Sequence, residues 1–273
     1  MKSYQADVCG QAIGVLEAGQ GPPLVFVHGL PGQALDFAPA LDRLSSDWRC
    51  IAIDRAGYGA SLPIQEDRKA NVGCNVTLLI ELLDTLELPA AHLVGWSYGG
   101  DIAISAAAAH PERISSLVLV GAAGPSFRWP TGLADRILFR TPLGSSLVNV
   151  VRRLGSGAMK PMLDDAYGAE APSALLDQFV ELLDNPRTVS RWLEEGRVWD
   201  PASCPAKAVR CPTIVIHGER DTRVPISVAR TNAELIPDAR THCLPEAGHW
   251  PFHSHPDEFA GLVHEFLSSL ATT

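Results

Sequence analysis

A serine in a glycine-flanked turn is the side chain of this sequence best suited to act as a nucleophile. Residues 95–100 read Gly-Trp-Ser-Tyr-Gly-Gly, with Ser97 at the third position. An apolar run at 92–94 precedes the turn and small residues at 101–110 follow it, which predicts a strand, a sharp turn and a helix. Such a turn strains the backbone of the serine and lifts its hydroxyl clear of the sheet edge. It also places the backbone N–H of Tyr98 at the start of a helix, directed toward an oxyanion above the serine.

A serine hydroxyl is a weak nucleophile near neutral pH, so it needs a base within hydrogen-bond reach and an acid that orients this base. Of three histidines close together near the carboxyl end, only His249 lies in a loop that follows a predicted strand. His253 and His255 lead into the terminal helix and are expected at the surface. Asp221 follows another buried strand and is the candidate acid, with Glu219 as the only close substitute.

Strands and helices that alternate along the chain are expected to bring these residues to one edge of a sheet. The predicted strands are 4–8, 11–17, 24–27, 50–53, 92–94, 114–120, 213–216 and 239–244. The predicted helices are 36–44, 71–88, 101–110, 133–140, 143–154, 171–183, 189–198, 226–235 and 256–270. Such alternation is typical of a doubly wound, mostly parallel α/β sheet, which binds ligands at the carboxyl ends of its strands. The loops that begin at His28 and Asp54 lie at that edge, as does Ser97.

The alternation is interrupted between residues 123 and 205, where the sequence predicts helices and no strands. This segment is rich in aromatic residues, and we interpret it as a helical cap over the strand ends. Residues 1–122 and 206–273 then form the core domain. The sequence contains no internal repeat and no independent second domain.

The composition is that of an ordinary globular protein, and we expect its partner to be a small-molecule substrate. The 273 residues are 46% hydrophobic and 19% charged, and the net charge of −9 argues against nucleic acid and anionic membrane surfaces as partners. The six cysteines include no C-x-x-C pair, and the first residues lack the apolar core of a signal peptide. We therefore expect a cytoplasmic protein with reduced thiols, the pair Cys204 and Cys211 being the alternative. We find no metal-ligand cluster, phosphate loop or dinucleotide fingerprint and expect no cofactor or metal. The oligomeric state is left open.

Five short motifs, each at a predicted strand end, resemble the pattern of the α/β-hydrolase family over nearly the whole chain. They are His28-Gly29, Asp54-Arg55-x-Gly57-x-Gly59, Gly95-x-Ser97-x-Gly99-Gly100, His217-Gly218-x-x-Asp221 and Gly248-His249. The chain order serine, acid, histidine is also that of the family. The resemblance implies the α/β-hydrolase fold, with Ser97 as nucleophile, His249 as general base and acid, and Asp221 as the orienting carboxylate. It further implies an oxyanion hole formed by the backbone N–H groups of Leu30 and Tyr98.

Several residues near these motifs are candidates for supporting or substrate-binding roles. We expect His28 to brace the oxyanion loop more than to take part in chemistry. Asp54 and Arg55 are expected to form a structural pair beneath the site. The candidate substrate contacts are Trp96, Trp250, His28, Trp129 and Arg191.

The family resemblance leaves several reactions open. The loop His28-Gly29-Leu30-Pro31 is similar to that of epoxide hydrolases and dehalogenases, but those enzymes attack with a carboxylate where this chain has serine. The ending Gly248-His249-Trp250 is similar to that of hydrolases that cleave ring-fission products, whose substrate carboxylate Arg191 would bind. Those enzymes usually carry asparagine at the position of Trp96. We therefore expect a carboxylesterase for small to medium, largely apolar acyl groups, with a C–C bond hydrolase as the alternative. A third possibility is a ligand receptor of low turnover on a hydrolase scaffold.

Overall fold

An eight-stranded sheet forms the centre of the computed structural model, which describes residues 1–65, 68–130 and 132–270. The strands are β1 (Lys2–Val8), β2 (Gln11–Ala18), β3 (Pro23–Val27), β4 (Arg49–Ile53), β5 (Ala91–Trp96), β6 (Ile114–Val120), β7 (Thr213–Gly218) and β8 (Arg240–Leu244). Their order across the sheet is β1-β2-β4-β3-β5-β6-β7-β8. The pairs β1/β2 and β2/β4 are antiparallel and every later pair is parallel. The predicted α/β class with a mostly parallel sheet is confirmed.

Eleven α-helices are present in the described residues and pack on the sheet or on one another. They are α1 (Ala38–Leu44), α2 (Val72–Thr85), α3 (Tyr98–Ala109), α4 (Leu133–Arg140), α5 (Gly144–Arg153), α6 (Ser156–Tyr167), α7 (Ser173–Asp184), α8 (Pro186–Val198), α9 (Ile226–Leu235), α10 (Pro251–Ser254) and α11 (Pro256–Leu270). Short 3-10 helices occur at Ala34–Phe37, Pro201–Ser203 and Ala206–Ala208. Apolar clusters fill the space between sheet and helices on both faces of the sheet.

The central strands are buried on both faces, which is the reason for their uninterrupted apolar sequences. In β3, Leu24, Val25 and Phe26 are each fully buried. Helix α2 begins where the Asn71 side chain accepts a hydrogen bond from the backbone N–H of Cys74, a common N-cap arrangement. Because these strands run parallel, their carboxyl ends meet at one edge of the sheet.

The segment between β6 and β7 contains helices α4 to α8, and none of its described residues lies in a strand. We refer to α4–α8 as the helical insertion. The sequence predicts four of its five helices and misses α6. This helix has Gly157 as its second residue and Pro161 in its interior. Proline and glycine weaken a helix considered by itself, but burial of Met159 and Leu163 against neighbouring elements stabilises this one. Residues 66, 67, 131 and 271–273 of the predicted domains lie outside the described residues.

The structure contains neither a disulfide bond nor a membrane-spanning helix in the residues that it describes. All six cysteines are free thiols, so the alternative pairing of Cys204 with Cys211 is not formed. Within the described ranges, no helix combines the length and the apolar character needed to cross a bilayer.

Candidate active site

Ser97 occupies the sharp turn between β5 and α3. Its backbone has φ 56° and ψ −119°, a strained conformation for a residue with a side chain. Neighbouring backbone approaches so closely that a Cβ at Gly99 would lie 2.1 Å from the Val27 carbonyl oxygen, and one at Gly95 would lie 2.7 Å from the Gly99 carbonyl oxygen. Only glycine fits at these two positions, which explains their spacing around the serine.

His249 and Asp221 are joined by a hydrogen bond at the carboxyl edge of the sheet. His249 Nδ1 lies 2.7 Å from Asp221 Oδ2, and both side chains are nearly fully buried. The second carboxylate oxygen, Oδ1, accepts the backbone N–H groups of Arg223 at 2.8 Å and Val224 at 2.9 Å. Glu219, the alternative acid, is exposed. These bonds hold the carboxylate so that it fixes the orientation of the imidazole.

The environment keeps the Asp221 carboxyl ionised. Burial, the largest influence, raises its pKa, but the adjacent His249, the neighbouring His217 and the Val224 N–H lower it more, so the pKa lies below its ordinary value. His217 is itself fully buried with Nε2 2.9 Å from the Val224 carbonyl oxygen. An ionised Asp221 is able to stabilise positive charge on His249.

A cavity of about 180 Å³ opens over Ser97 and His249, both of which line it. Eight of its nineteen described lining residues are aromatic: Trp96, Phe127, Trp129, Phe139, Phe179, Trp192, Trp199 and Trp250. The charged or titratable side chains of the described wall are Asp135, Arg223 and His249 itself. The cavity lies between the sheet edge and the helical insertion, and it favours a small, apolar ligand.

Three of the candidate substrate contacts, Trp96, Trp250 and Trp129, lie in this wall. Trp96 also donates from Nε1 to the His249 carbonyl oxygen at 2.8 Å, and its ring lies 5.4 Å from the imidazole. Trp129 donates from Nε1 to the carbonyl oxygen of Gly196 at 2.7 Å. Trp96 therefore holds the backbone of His249 in place in addition to forming part of the wall.

The candidate oxyanion-hole residues belong to two segments that meet at Ser97: Tyr98 follows the serine, and Leu30 follows Gly29, where an added Cβ would lie 3.0 Å from Ser97 Cβ. Leu30 lines the cavity, and Tyr98 is the first residue of α3, where backbone N–H groups have no acceptor within the helix. His28 is fully buried and outside the cavity wall; its Nδ1 lies 2.9 Å from the Gly29 carbonyl oxygen, and its Nε2 accepts the Arg55 N–H at 3.0 Å. Burial, followed by the charge of Arg55, lowers the pKa of His28 well below its usual range, so a neutral ring fits both bonds. His28 therefore contacts the loop rather than the cavity.

The predicted pairing of Asp54 with Arg55 is wrong. The Asp54 carboxylate accepts the backbone N–H groups of Ala34 and Ala60 at 2.7 and 2.8 Å. Arg55 pairs instead with Glu195 of α8, at 2.7 Å, in a fully buried ion pair. Adjacent residues that leave a strand end point in different directions, so closeness in sequence did not lead to contact.

Arg191, the candidate partner for a substrate carboxylate, is not brought to the cavity. Its guanidinium is buried, with Nη2 3.0 Å from Glu195 Oε1 one helical turn away. Three further residues near the site were not indicated by the sequence. In the structure, Glu195 binds Arg55, Gln178 binds Asp36, and Arg223 lies in the cavity wall. The spacing of Arg191 and Glu195, four residues apart on a helix, was the available signal for their pairing.

Asp101, which sequence reasoning also missed, supports the cavity wall from behind. Its Oδ2 accepts the Trp199 indole N–H at 2.7 Å, and the Cys204 thiol is a further neighbour. Burial raises the pKa of this carboxyl to about 7. The folded protein therefore holds a proton that the unfolded chain releases above pH 3.8, and raising the pH toward 7 opposes folding.

We expect Asp101→Asn to remove this pH dependence while keeping an acceptor for Trp199. The free energy of unfolding of the wild type, relative to the variant, should fall between about pH 4 and 7 by at most about 1.4 kcal/mol per pH unit. Urea titrations of both proteins across this range provide the measurement. A difference that stays constant with pH would show that Asp101 is ionised in the fold.

The sequence of this chain is similar to those of known hydrolases. The sequence model of the Alpha/beta hydrolase family matches residues 24–262, and the chain belongs to that family. It is 33% identical over 261 residues to a 2-hydroxymuconate semialdehyde hydrolase of Pseudomonas sp. (strain CF600), covering 92% of this chain and 89% of the relative. It is 32% identical over 267 residues to a pimeloyl-(acyl-carrier protein) methyl ester esterase of Chromobacterium violaceum, covering 93% and 97%.

Among solved structures, an esterase from Exiguobacterium antarcticum superposes with a TM-score of 0.80 at 25% identity, covering 98% of this chain and 99% of the other. Relatives of both kinds are hydrolases. The chain is therefore an α/β-hydrolase enzyme, and its relatives include both a semialdehyde hydrolase and a methyl ester esterase.

Proposed function

We propose that this enzyme is a serine carboxylesterase that cleaves small to medium, largely apolar esters. The observation that carries the proposal is the cavity: Ser97 and His249 share an aromatic wall in which the only other charged side chains described are Arg223 and Asp135. An apolar acyl group is stabilised by such a wall, whereas a free carboxylate loses hydration there and finds Arg223 as its one guanidinium partner.

In the proposed mechanism, Ser97 Oγ attacks the ester carbonyl while His249 takes its proton. Asp221, held by the backbone N–H groups of Arg223 and Val224, stabilises the imidazolium that forms. The backbone N–H groups of Leu30 and Tyr98 donate hydrogen bonds to the carbonyl oxygen and stabilise the negative charge that develops on it. His249 then gives the proton to the leaving alcohol, and the acyl group stays on Ser97. In the second half of the reaction, His249 takes a proton from water, the water attacks the acyl-enzyme, and His249 returns the proton to Ser97 as the acid leaves.

The helical insertion acts in this proposal as a cap that sets the acyl preference. Its residues supply much of the cavity wall, and the volume of about 180 Å³ is small for a ligand site.

Among p-nitrophenyl esters, we expect kcat/KM to be highest for acetate or butyrate and to fall steeply toward dodecanoate. A preference for the longest chain would contradict a closed apolar pocket.

A second candidate function is hydrolysis of a C–C bond in a vinylogous diketone. The similarity to 2-hydroxymuconate semialdehyde hydrolase favours it. In that case, the substrate carboxylate needs a cation, and Arg191 is bound to Glu195. The remaining arginine of the described cavity wall is Arg223, whose guanidinium donates to the Met162 carbonyl oxygen at 3.0 Å and lies 3.9 Å from Asp165. The two functions share the nucleophile and differ in the ligand that the wall accepts.

The deciding experiment compares p-nitrophenyl butyrate with a 2-hydroxy-6-oxo-dienoate in wild type and Arg223→Gln. We expect the ester to be the better substrate and to lose little activity in the variant, because its acyl group carries no charge. If the dienoate has the higher kcat/KM and Arg223→Gln lowers it selectively by about tenfold or more, as loss of a charged contact predicts, the C–C hydrolase assignment replaces the ester hydrolase.

A further inference from the structure

The oxyanion loop, residues 28–33, is held at its amino end by an arginine that the helical insertion positions. Arg55 Nη2 donates to the Gly29 carbonyl oxygen at 2.7 Å, and its Nη1 lies 2.8 and 2.7 Å from the two Glu195 oxygens. The Arg55 backbone N–H also donates to His28 Nε2. Arg55 thus contacts the residues on the amino-terminal side of Leu30 twice, and its guanidinium is oriented by Glu195 from α8.

Glu195 is bound more completely than a carboxylate that merely fills a core. Besides Arg55, it accepts the Tyr58 hydroxyl at 2.8 Å and the Asn75 amide at 2.8 Å, and it is fully buried. Burial, the largest influence, raises its pKa, but Arg55 and Arg191 lower it below the ordinary value. An ionised and fully satisfied carboxylate has one stable position, and so has the guanidinium it binds.

The carboxyl end of the same loop is held in a similar way. Asp36 Oδ2 accepts the backbone N–H of Gln33 at 2.9 Å, and its Oδ1 accepts the Gln178 amide at 2.6 Å. Gln178 belongs to α7 of the helical insertion, and Phe179 beside it lines the cavity. Both ends of the loop that presents the Leu30 N–H therefore bind a core side chain that is itself bound by the insertion.

We infer that Glu195 and Gln178 are positioning residues: acting through Arg55 and Asp36, they set the place of the Leu30 N–H over Ser97. The inference rests on the proposed ester hydrolysis and deepens it, because it makes the helical insertion part of the oxyanion hole's support as well as the lid of the pocket. An oxyanion donor acts mainly in the transition state, and a displacement of about 1 Å lowers rates by about a hundredfold. The expected effect is thus on kcat rather than on substrate binding.

The test uses Glu195→Gln and Gln178→Leu in the full-length protein, with p-nitrophenyl butyrate as substrate. We expect kcat to fall about tenfold to a hundredfold in Glu195→Gln and less in Gln178→Leu, with KM nearly unchanged in both. The affinity for butylboronic acid, which forms a tetrahedral adduct on a nucleophilic serine, should weaken in proportion to kcat, whereas product inhibition by butyrate should not change.

Thr188→Val is the matched control. Thr188 lies on α8 like Glu195, is fully buried, and donates to the Gly57 carbonyl oxygen of the core at 3.2 Å. The substitution removes one hydrogen bond between the helical insertion and the core, and it does not change a contact of the oxyanion loop. We therefore expect kcat and boronate affinity to stay at the wild-type level. Gln178 is only half-buried, so Gln178→Leu keeps the test valid if Glu195→Gln does not fold.

The inference is overturned if Thr188→Val loses as much as the folded test variant, because the effect would then come from docking of the insertion in general. It is also overturned if KM rises and butyrate binds more weakly while the affinity for the boronate does not change with either of them. Failure of the proposed function has a different signature: esters are not hydrolysed in a Ser97-dependent way. If Ser97 instead attacks a dienoate, boronate affinity still tests the inference, because the adduct forms on the serine without turnover of an ester.

Discussion

Replacing Ser97 with alanine should lower kcat/KM for p-nitrophenyl butyrate by about a millionfold, to the level set by binding and the oxyanion hole alone. The strained turn presents one hydroxyl to the cavity that His249 also lines, and alanine removes the attacking atom without disturbing the backbone. Initial-rate measurements at high enzyme concentration, with the thermal unfolding midpoint as a check on folding, give the result.

Ser126→Ala is the control for this substitution. Ser126 is half-buried like Ser97, lies beside the cavity residue Phe127, and is not part of the wall. Its replacement should leave activity unchanged. A fluorophosphonate should label wild type and Ser126→Ala at Ser97 and should not label Ser97→Ala. Ester hydrolysis that survives in Ser97→Ala at the wild-type rate would end the serine-esterase proposal.

His249→Ala should have an effect of the same size, a loss of about a millionfold in kcat/KM, because serine without its base is protonated and unreactive. His249 is the imidazole in the cavity wall, and its Nδ1 is hydrogen-bonded to Asp221. Its Nε2 is therefore the ring nitrogen for the proton exchange with Ser97 in the proposed mechanism. Because the two residues act as a unit, the double variant Ser97→Ala/His249→Ala should be no slower than either single variant.

His253→Ala provides the matched histidine control. His253 lies four residues further along, half-buried, with its Nδ1 3.4 Å from the Tyr167 hydroxyl and outside the cavity wall. Its removal should leave kcat/KM close to the wild-type value. If His253→Ala and His249→Ala lose activity equally, the base has been assigned to the wrong imidazole.

Much of the fold and of the candidate site could be predicted because the relevant information is local. Continuous apolar runs mark strands buried on both faces, and glycines around Ser97 mark a turn that only glycine permits. The alternation of elements then requires a parallel sheet whose strand ends meet at one edge. Asp221 and His249, each in a loop at that edge, lie in contact in the structure.

The errors arose where a side chain's partner belongs to a distant element. The sequence predicts that Arg55 pairs with its neighbour Asp54, whereas Arg55 binds Glu195. It also predicts that Arg191 binds substrate, whereas Arg191 binds the same Glu195 carboxylate. Helix α6 was missed because Pro161 masks a segment whose stability comes from burial against its neighbours. In each case, the decisive contact is made by residues that no local pattern connects.

The sequence by itself determined the architecture, the strained serine turn, and the set of polar residues that the strand ends collect at one edge. These follow from backbone sterics and from hydrophobic periodicity, which act within a few residues of the chain. Tertiary structure alone decided which aromatic residues line the cavity and that Arg191 pairs with Glu195 away from it. It also decided that Glu195 and Gln178 bind Arg55 and Asp36, the side chains that contact the two ends of residues 28–33. Side-chain directions on packed helices depend on how the helices lie against the sheet, and that arrangement minimises the free energy of the whole chain rather than of any one segment.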